Sequence, residues 1–242
     1  MKHWIFLDNF EGGTIADKKT VHRLTRVLRL KPGDTLLGFD GKEKLTLRIK
    51  SAGPDAVEVE TLGRRRVERA APLKLTVAQA LLKGKRWDVF LEKAAELGVD
   101  TIVPLQTENC VVRIAGPDVE KKAERWRRIV QSAAAQCRGG TVTEVAEPVE
   151  FADFVRSASG RVARFILATE GVNVPFAEAI SSASPPEVIL AVGPEGDFAP
   201  EEVEAASEAG FTPVTLGPRI LRAETAAIVA AALALFAGSA FS

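Results

Sequence analysis

The sequence predicts an α/β protein in which a small β-barrel precedes an α/β domain with a mainly parallel sheet. Short strand-like runs fill residues 1–62, a charged connector follows, and apolar strand-like runs then alternate with helical patterns to the end of the chain. Such alternation is typical of a parallel sheet covered by helices on both faces. The 242 residues suffice for two domains, which we predict at 1–70 and 71–242.

The N-terminal part is predicted to form the barrel. Its strand-like runs are HWIFL, DTLLGFDG, KLTLRIKSAG and AVEVETLG, separated by turns that carry Gly, Asp and Pro. One helix, KTVHRLTRVLRLKPGD, interrupts them. Leu24, Val27 and Leu28 share a face of this helix at helical spacing, and Pro32-Gly33 ends it.

The second part alternates strands and helices. Its strand-like runs are LKLTVAQAL, DTIVPLQ, RFILATEG, EVILAVGPEG and TPVTLGP. Helical patterns cover residues 86–97, about 118–137, and the segments after each later strand, ending in an Ala-rich helix. The connector GRRRVERAAP, residues 63–72, has the charge and terminal proline of an exposed linker, so the domain boundary is predicted there.

Composition excludes several classes of protein. The hydrophobic fraction of 46% and the charged fraction of 26% are those of an ordinary globular chain. The N-terminus MKHWIFLDNF lacks the apolar region of a signal peptide, and the final apolar run is shorter than a membrane span, so we expect a cytoplasmic protein without membrane contact. Two cysteines and two histidines form no ligand pattern, so we expect no metal.

The formal net charge of zero conceals an uneven distribution. Residues 1–72 hold 15 Lys and Arg against 10 Asp and Glu, whereas residues 73–242 hold 17 against 22. The basic N-terminal part is either suited to a polyanionic partner or the result of chance clustering of solvated charges.

Three loops that follow strands carry the candidate site. They are ATEG at 168–171, GPEGDFAPEE at 193–202 and LGPRILRAET at 216–225. Open parallel sheets bind ligands outside the carboxyl ends of their strands, so these loops predict the binding site. None is a Walker loop or a G-x-G-x-x-G fingerprint, which argues against ATP, GTP or NAD, and no Ser lies in the G-x-S-x-G context of hydrolases.

The GPEGDF loop contains one acidic residue with no evident structural task. Glu201 and Glu202 suit the N-terminus of the following helix. Glu195, which lies between two glycines before that helix begins, is instead a candidate for binding a ribose or an amine.

Five ordered motifs extend through nearly the whole chain: HRLTRVLRLKPGD, LLKGKRWDVFLEKAAELGVDTIVPLQTENCVV, RWRRIVQSAAAQCR, AVGPEGDF and TLGPRILRAETAA. Together they resemble the SPOUT-class RNA methyltransferases, and within them the 16S ribosomal RNA uridine-N3 methyltransferase family. The resemblance implies a PUA-like barrel that engages RNA, followed by an α/β domain tied in a deep trefoil knot. It further implies S-adenosyl-L-methionine as cofactor and a homodimer that acts on a uridine in the decoding region of 16S rRNA, within the small ribosomal subunit.

The same resemblance implies the cofactor contacts, with apolar side chains as walls and glycines that permit close backbone approach. The matching positions are Thr169, Glu170, Gly193, Glu195, Gly196, Leu216, Gly217, Ile220, Leu221, Arg222 and Thr225. The family pattern usually has a second glycine where this chain has Asp197, which puts the fine shape of that loop in question.

Methylation of uracil at N3 requires loss of the N3 proton. The site must therefore provide a base or stabilise the anion spread over O2, N3 and O4. Arg222 suits the second task, because arginine is always charged and presents several donors. Glu224 is either the base or a structural partner of the helix dipole or of Arg222. Because N3 is engaged in pairing within a duplex, the target must be unpaired or extruded.

Basic residues in four places are the candidates for RNA contact. They are His22, Arg23, Arg26 and Arg29 on the first helix, Lys83, Lys85 and Arg86 early in the second domain, Arg138 after the long helix, and Arg219 in the final loop. The alternative for Arg23, Arg26 and Arg29 is that they form a solvated helix face without RNA contact. The alternatives for the whole protein are a knotted methyltransferase with another RNA target or ribose 2′-O chemistry, and an RNA-binding assembly factor without transfer activity.

Overall fold

The structure is a computed structural model that describes residues 3–7, 10–41, 43–66, 73–137, 142–158, 162–171, 174–183 and 186–239. The chain divides into two compact units. Unit 1 comprises Met1–Arg69 with Gln131–Val142, and unit 2 comprises Ala70–Val130 with Thr143–Ser242. Among the described residues, no helix is long and apolar enough to cross a membrane.

The strands are β1 (Trp4–Phe6), β2 (Thr14–Ile15), β3 (Thr35–Phe39), β4 (Glu43–Ala52), β5 (Val57–Arg66), β6 (Lys74–Ala80), β7 (Thr101–Gln106), β8 (Glu144–Val145), β9 (Val149–Glu150), β10 (Ala163–Leu167), β11 (Val174–Pro175), β12 (Glu187–Val192) and β13 (Thr212–Thr215). The helices are α1 (Lys18–His22), α2 (Lys85–Leu97), α3 (Asp118–Cys137), α4 (Phe151–Ser157), α5 (Phe176–Ala183), α6 (Pro200–Glu208) and α7 (Ala223–Ser239).

Unit 1 is built on a curled sheet in the order β1-β3-β4-β5-β2. β1 pairs with β3 in parallel, and the other pairs are antiparallel. Strict alternation in β4 buries Leu45, Leu47 and Ile49 on one face, each at most 1% exposed. The predicted strands of this unit are present, and the two-residue β2 is an addition that no sequence pattern indicated.

The helix of unit 1 departs from its prediction. After α1 the chain continues as a π-helical segment, Arg23–Val27, in which Leu28 N donates to Arg23 O at 2.8 Å. A π-turn spans more residues than an α-turn, so the buried face shifts along the sequence. Leu24 is fully buried, but Val27 is 63% exposed, and the prediction that Val27 lies on the buried face was wrong.

Unit 2 contains a sheet in the order β11-β13-β10-β12-β6-β7-β8, with β9 also paired to β7. Every pair of described strands in it is parallel, which confirms the predicted mainly parallel sheet. α7 packs against α2, α5, β6 and β12, whereas α4 packs against α6, β7 and β9. The neighbours β13, β10 and β12 run in one direction, so their carboxyl ends and the loops that follow them meet at one edge.

Long amphipathic patterns gave the helix bounds accurately. The predicted helices at 86–97 and about 118–137 are observed as Lys85–Leu97 and Asp118–Cys137. α7 buries a row of alanines, Ala227, Ala230, Ala231 and Ala234, none more than 1% exposed. Small side chains on this face allow α7 to lie close to the strands beneath it.

Candidate active site

A cavity of about 700 Å³ lies at the carboxyl ends of β10, β12 and β13. Its walls come from residues 167–170, 192–197 and 214–223, together with Arg86 of α2 and Ala226 of α7. All of these residues belong to unit 2. The three loops singled out by the sequence therefore surround one space, of a size typical of a small-molecule site.

The cavity gathers every predicted cofactor contact except Thr225. Glu224, the candidate base, is also absent from its walls. Helical geometry explains both omissions, because α7 begins at Ala223 and presents Ala223 and Ala226 to the cavity. The two residues between them are rotated away by about 100° for each step along the helix.

Asp197 joins two of the loops. Its Oδ2 accepts a hydrogen bond from Thr169 N at 2.9 Å and a second from the Thr169 hydroxyl, while its Oδ1 accepts from Phe198 N at 2.8 Å. Its backbone is left-handed, with φ of 59°. A Cβ on Gly193 would lie 3.1 Å from Asp197 Oδ1, so the glycine at 193 lets the carboxylate take this position without a tight contact.

An ion pair lies at the cavity wall between α2 and the loop after β12. Arg86 Nη1 and Glu195 Oε1 are 2.8 Å apart, and the two side chains are 45% and 31% exposed. The sequence assigned Glu195 to the cofactor and Arg86 to RNA, and the structure brings them together. A pair this open to solvent contributes little to stability, so both groups remain available to a ligand.

Two further arginines lie in the cavity wall. Arg219 and Arg222 line it, are exposed, and form no side-chain hydrogen bond or ion pair with any residue that the structure describes. The apolar wall beside them includes Ile220, which is 86% exposed. Unpaired guanidinium groups next to an uncovered aliphatic side chain suit a ligand that carries both negative charge and a flat apolar surface.

Glu224 is buried in the first turn of α7, at 8% exposure. Its Oε2 has no hydrogen-bond partner among the described residues, and no ion pair joins it to Arg222. The positive end of the helix dipole is the favourable interaction that its position provides.

Supporting residues around the cavity were missed by the sequence analysis. Asn109 Nδ2 donates to Gly196 O and Asp197 O, both at 3.1 Å. Gln79, fully buried in β6, donates from Nε2 to Gly193 O at 3.0 Å. The sequence around Asn109 and Gln79 gives no indication of these contacts, because each residue contacts a loop far along the chain.

Glu202 lies at the N-terminus of α6, as the sequence predicted. Its carboxylate accepts a hydrogen bond from Ala199 N at 3.0 Å and another from Glu108 N at 2.9 Å.

Of the other candidates for RNA contact, those that the structure describes do not line the cavity. His22, Arg23, Arg26 and Arg29 are exposed on and after α1 in unit 1, and Arg29 has a left-handed backbone with φ of 53°. Lys83 and Lys85 are exposed around the start of α2. Arg138 lies outside the described residues. No group of three or more potential metal ligands occurs in the part of the chain that the structure describes.

Residues 69–235 match the family model for the RNA methyltransferase domain, so unit 2 is a domain of this class. A curated relative from Synechocystis, ribosomal RNA small subunit methyltransferase E, is 36% identical over 217 residues, which is 88% of this chain and 69% of the relative. The chain belongs to the ribosomal RNA small subunit methyltransferase E family.

Two solved structures are similar over almost their whole length. A Legionella pneumophila protein, described as a methyltransferase in complex with the bound cofactor SAM, has 34% identity and a TM-score of 0.89, with 98% of each chain covered. A ribosomal RNA small subunit methyltransferase E from Neisseria gonorrhoeae, bound to S-adenosyl methionine, has 30% identity and a TM-score of 0.86, with 100% of each chain covered.

Proposed function

We propose that this chain transfers a methyl group from S-adenosyl-L-methionine to N3 of a uridine in the decoding region of 16S rRNA. The observation that supports the proposal most strongly is the cavity at the carboxyl ends of β10, β12 and β13. Relatives solved with this cofactor have the same fold over nearly their full length. The small-subunit rRNA substrate is proposed by analogy with the relatives, which are ribosomal RNA small subunit methyltransferases.

The chemistry of the cavity fits the cofactor. S-adenosyl-L-methionine carries an amino-acid end with both charges, two ribose hydroxyls and a flat purine. Leu216, Ile220 and Leu221 supply apolar walls for the purine, and Glu195 and Arg86 supply groups of both signs for the hydroxyls and the amino-acid end. Gly217 has φ of 115° and lines the cavity, so its backbone is open to close approach. When bound, the cofactor supplies an electrophilic methyl group on a positively charged sulfur.

Arg222 is the residue to which we assign stabilisation of the uracil anion. Removal of the N3 proton leaves negative charge on O2, N3 and O4, and the exposed guanidinium of Arg222 in the cavity wall has donors free of any described residue to turn toward it. Arg219, three residues earlier on the same wall, is assigned to an RNA phosphate. For Glu224, burial outside the cavity favours the structural role over that of base.

We assign RNA binding to the first predicted domain and catalysis to the second. Residues 1–70 form a PUA-like barrel whose exposed Arg23, Arg26 and Arg29 contact RNA backbone, and residues 71–242 form the knotted catalytic domain. The curled sheet of unit 1 and its exposed arginines support the first assignment. Contacts of this kind make RNA affinity fall steeply with salt.

We assign the exposed side of α7 to contact with a second copy of the chain. Val229 and Phe236 are 36% and 72% exposed and stand two helical turns apart, hence on one face. Aromatic and aliphatic groups exposed in a row are typical of an interface that buries them. The proposed protein is therefore a homodimer.

Nucleoside analysis tests the proposal directly. The protein is incubated with labelled cofactor and small ribosomal subunits that lack the modification, and the rRNA is digested to nucleosides. The expected product is 3-methyluridine. A 2′-O-methylnucleoside, or a label outside the decoding region, would replace the uridine-N3 assignment with another RNA target.

A binding measurement separates an enzyme from an assembly factor without activity. Calorimetric titration with S-adenosylhomocysteine is expected to show one site for each chain. Absence of binding at millimolar product would contradict the methyltransferase proposal as a whole.

A further inference from the structure

The loop Gly193–Phe198 is held at four points. Gln79 holds the carbonyl group of Gly193, Arg86 holds Glu195, and Asn109 holds the carbonyl groups of Gly196 and Asp197. The fourth point is the Asp197 carboxylate, which accepts hydrogen bonds from Thr169 in the loop after β10. Three loops form the proposed cofactor cavity. Of these four points, the Asp197 carboxylate is the one that joins two of the three loops to each other.

We infer that Asp197 is a positioning residue, which latches the loop after β10 to the loop after β12 and so holds the cavity ready for the cofactor. This inference rests on the proposed function. The latch consists of the Asp197 carboxylate and the backbone N–H and hydroxyl of Thr169. Thr169 lines the cavity beside Glu170, so the position of this wall depends on the latch.

The backbone conformation of Asp197 would suit glycine better, which indicates that the carboxylate is present for the hydrogen bonds it accepts. A φ of 59° is unfavourable for a residue with a side chain, and glycine would adopt it without strain. The strain is offset by three hydrogen bonds, two to Thr169 and one to Phe198 N. Hydrogen bonds to an ionised acceptor are stronger than those between neutral groups.

The latch acts on affinity rather than on the chemical step. Loops that must become ordered upon binding reduce the net affinity, and a loop that is already fixed avoids this loss. None of the three hydrogen bonds of Asp197 involves Arg222, the residue assigned to the uracil anion. Breaking the latch is therefore expected to raise KM for S-adenosyl-L-methionine and to leave kcat at saturating cofactor nearly unchanged.

Two substitutions separate the latch from the backbone strain. Asp197→Gly relieves the left-handed strain and removes both acceptor oxygens, so the latch is lost completely. Asp197→Asn keeps the shape and tolerates positive φ, but its one carbonyl oxygen can accept from Thr169 or from Phe198 N and not from both. Asp197→Asn therefore weakens the latch without relieving the strain, whereas Asp197→Gly removes both.

Asp34 provides a matched control. Its carboxylate also accepts a backbone N–H, from Lys31 at 2.7 Å, but it lies in unit 1, which contributes no residue to the cavity. Asp34→Asn is therefore a change of the same type that leaves the latch intact.

Calorimetric titration with S-adenosylhomocysteine and steady-state kinetics test the latch. Asp197→Gly is expected to weaken product binding and raise KM for the cofactor about tenfold, the loss of roughly one charge-assisted hydrogen bond, and Asp197→Asn is expected to have a smaller effect in the same direction. Asp34→Asn is expected to stay within about twofold of the wild type, the margin for a remote surface change. Unchanged affinity in both Asp197 variants, or a fall in kcat without a change in KM, would overturn the inference.

Hydrogen exchange of the Thr169 amide gives a readout that does not depend on the cofactor. In the protein without ligand, Asp197→Gly is expected to accelerate this exchange about tenfold or more, whereas Asp34→Asn leaves it unchanged. If the wild type binds no S-adenosylhomocysteine, the proposed function fails, and this exchange measurement alone decides whether the latch exists. Equal exchange in Asp197→Gly and the wild type would refute the latch.

Discussion

Replacement of Arg222 by alanine separates catalysis from folding with little ambiguity. The side chain is exposed and has no hydrogen-bond or ion-pair partner among the described residues, so its removal is expected to change the free energy of unfolding by less than about 0.5 kcal/mol. Removing one fixed donor to a developing anion typically slows the chemical step about 10²- to 10³-fold, or about 2.7–4 kcal/mol. The expected result is a folded protein with very slow methyl transfer.

Single-turnover transfer of labelled methyl groups to small ribosomal subunits is the appropriate assay, with thermal unfolding measured on the same samples. Arg219→Ala is the matched control, because Arg219 lines the same wall and is equally exposed and unpaired among the described residues. If Arg219 contacts an RNA phosphate, its removal raises KM for RNA and leaves the rate of the methyl-transfer step unchanged. A transfer rate in Arg222→Ala within about threefold of the wild type would refute the assigned role, since a lost oxyanion donor costs far more.

Three further substitutions test other parts of the site and fold. Glu224→Gln preserves shape in a buried position, so we expect nearly normal transfer in single-turnover measurements, with thermal unfolding as the check that the variant is folded. A rate loss of about 10²-fold or more would identify Glu224 as the base. Arg86→Met breaks the pair with Glu195 and is expected to weaken S-adenosylhomocysteine binding in calorimetry; unchanged affinity would remove Arg86 from the cofactor site. Asp17→Ala removes the N-cap of α1, where Asp17 Oδ2 accepts a hydrogen bond from Thr20 N at 2.8 Å. Near neutral pH we expect this change to lower the free energy of unfolding by about 1 kcal/mol, measured by denaturant unfolding.

The Asp17 prediction also has a definite pH dependence. Hydrogen bonds from the Thr20 side chain and then its backbone N–H lower the pKa of Asp17 below its ordinary value of 3.8. A group whose pKa is lower in the folded state stabilises the fold above the unfolded-state pKa, and this stabilisation is lost as the pH falls through the folded-state pKa. The difference between wild type and Asp17→Ala should therefore shrink in acid below about pH 4. A difference that stays constant as the pH falls well below about 4 would contradict the cap.

Local patterns predicted the elements that are long or strongly periodic. α3 was predicted at its observed bounds, because twenty residues provide several turns of apolar spacing. The parallel sheet was predicted from the alternation of strands and helices. The two-residue strands β2 and β8 had no such pattern, since pairing with β5 and β7 rather than their own sequence defines them. Val27 was misplaced because a π-turn changes the periodicity within a helix.

The site was predicted as three loops but not as a set of contacts. Position after a parallel strand was enough to bring ATEG, GPEGDF and LGPRIL to one cavity. The contacts that shape it join distant residues: Asn109 to Gly196, Arg86 to Glu195, and Asp197 to Thr169. Asp197 was noted only as a departure from a family pattern, because its hydrogen-bond partners become neighbours only in the folded chain.

Reverse transcription across 16S rRNA tests the central proposal most directly, because a methyl group at uracil N3 blocks base pairing and stops extension. Primer extension is compared between a strain that has this gene and one that lacks it, with the wild type or Arg222→Ala reintroduced. We predict a stop at one uridine of the decoding region that disappears with the gene, returns with the wild type, and does not return with Arg222→Ala. An identical stop pattern in the two parent strains would contradict the proposal.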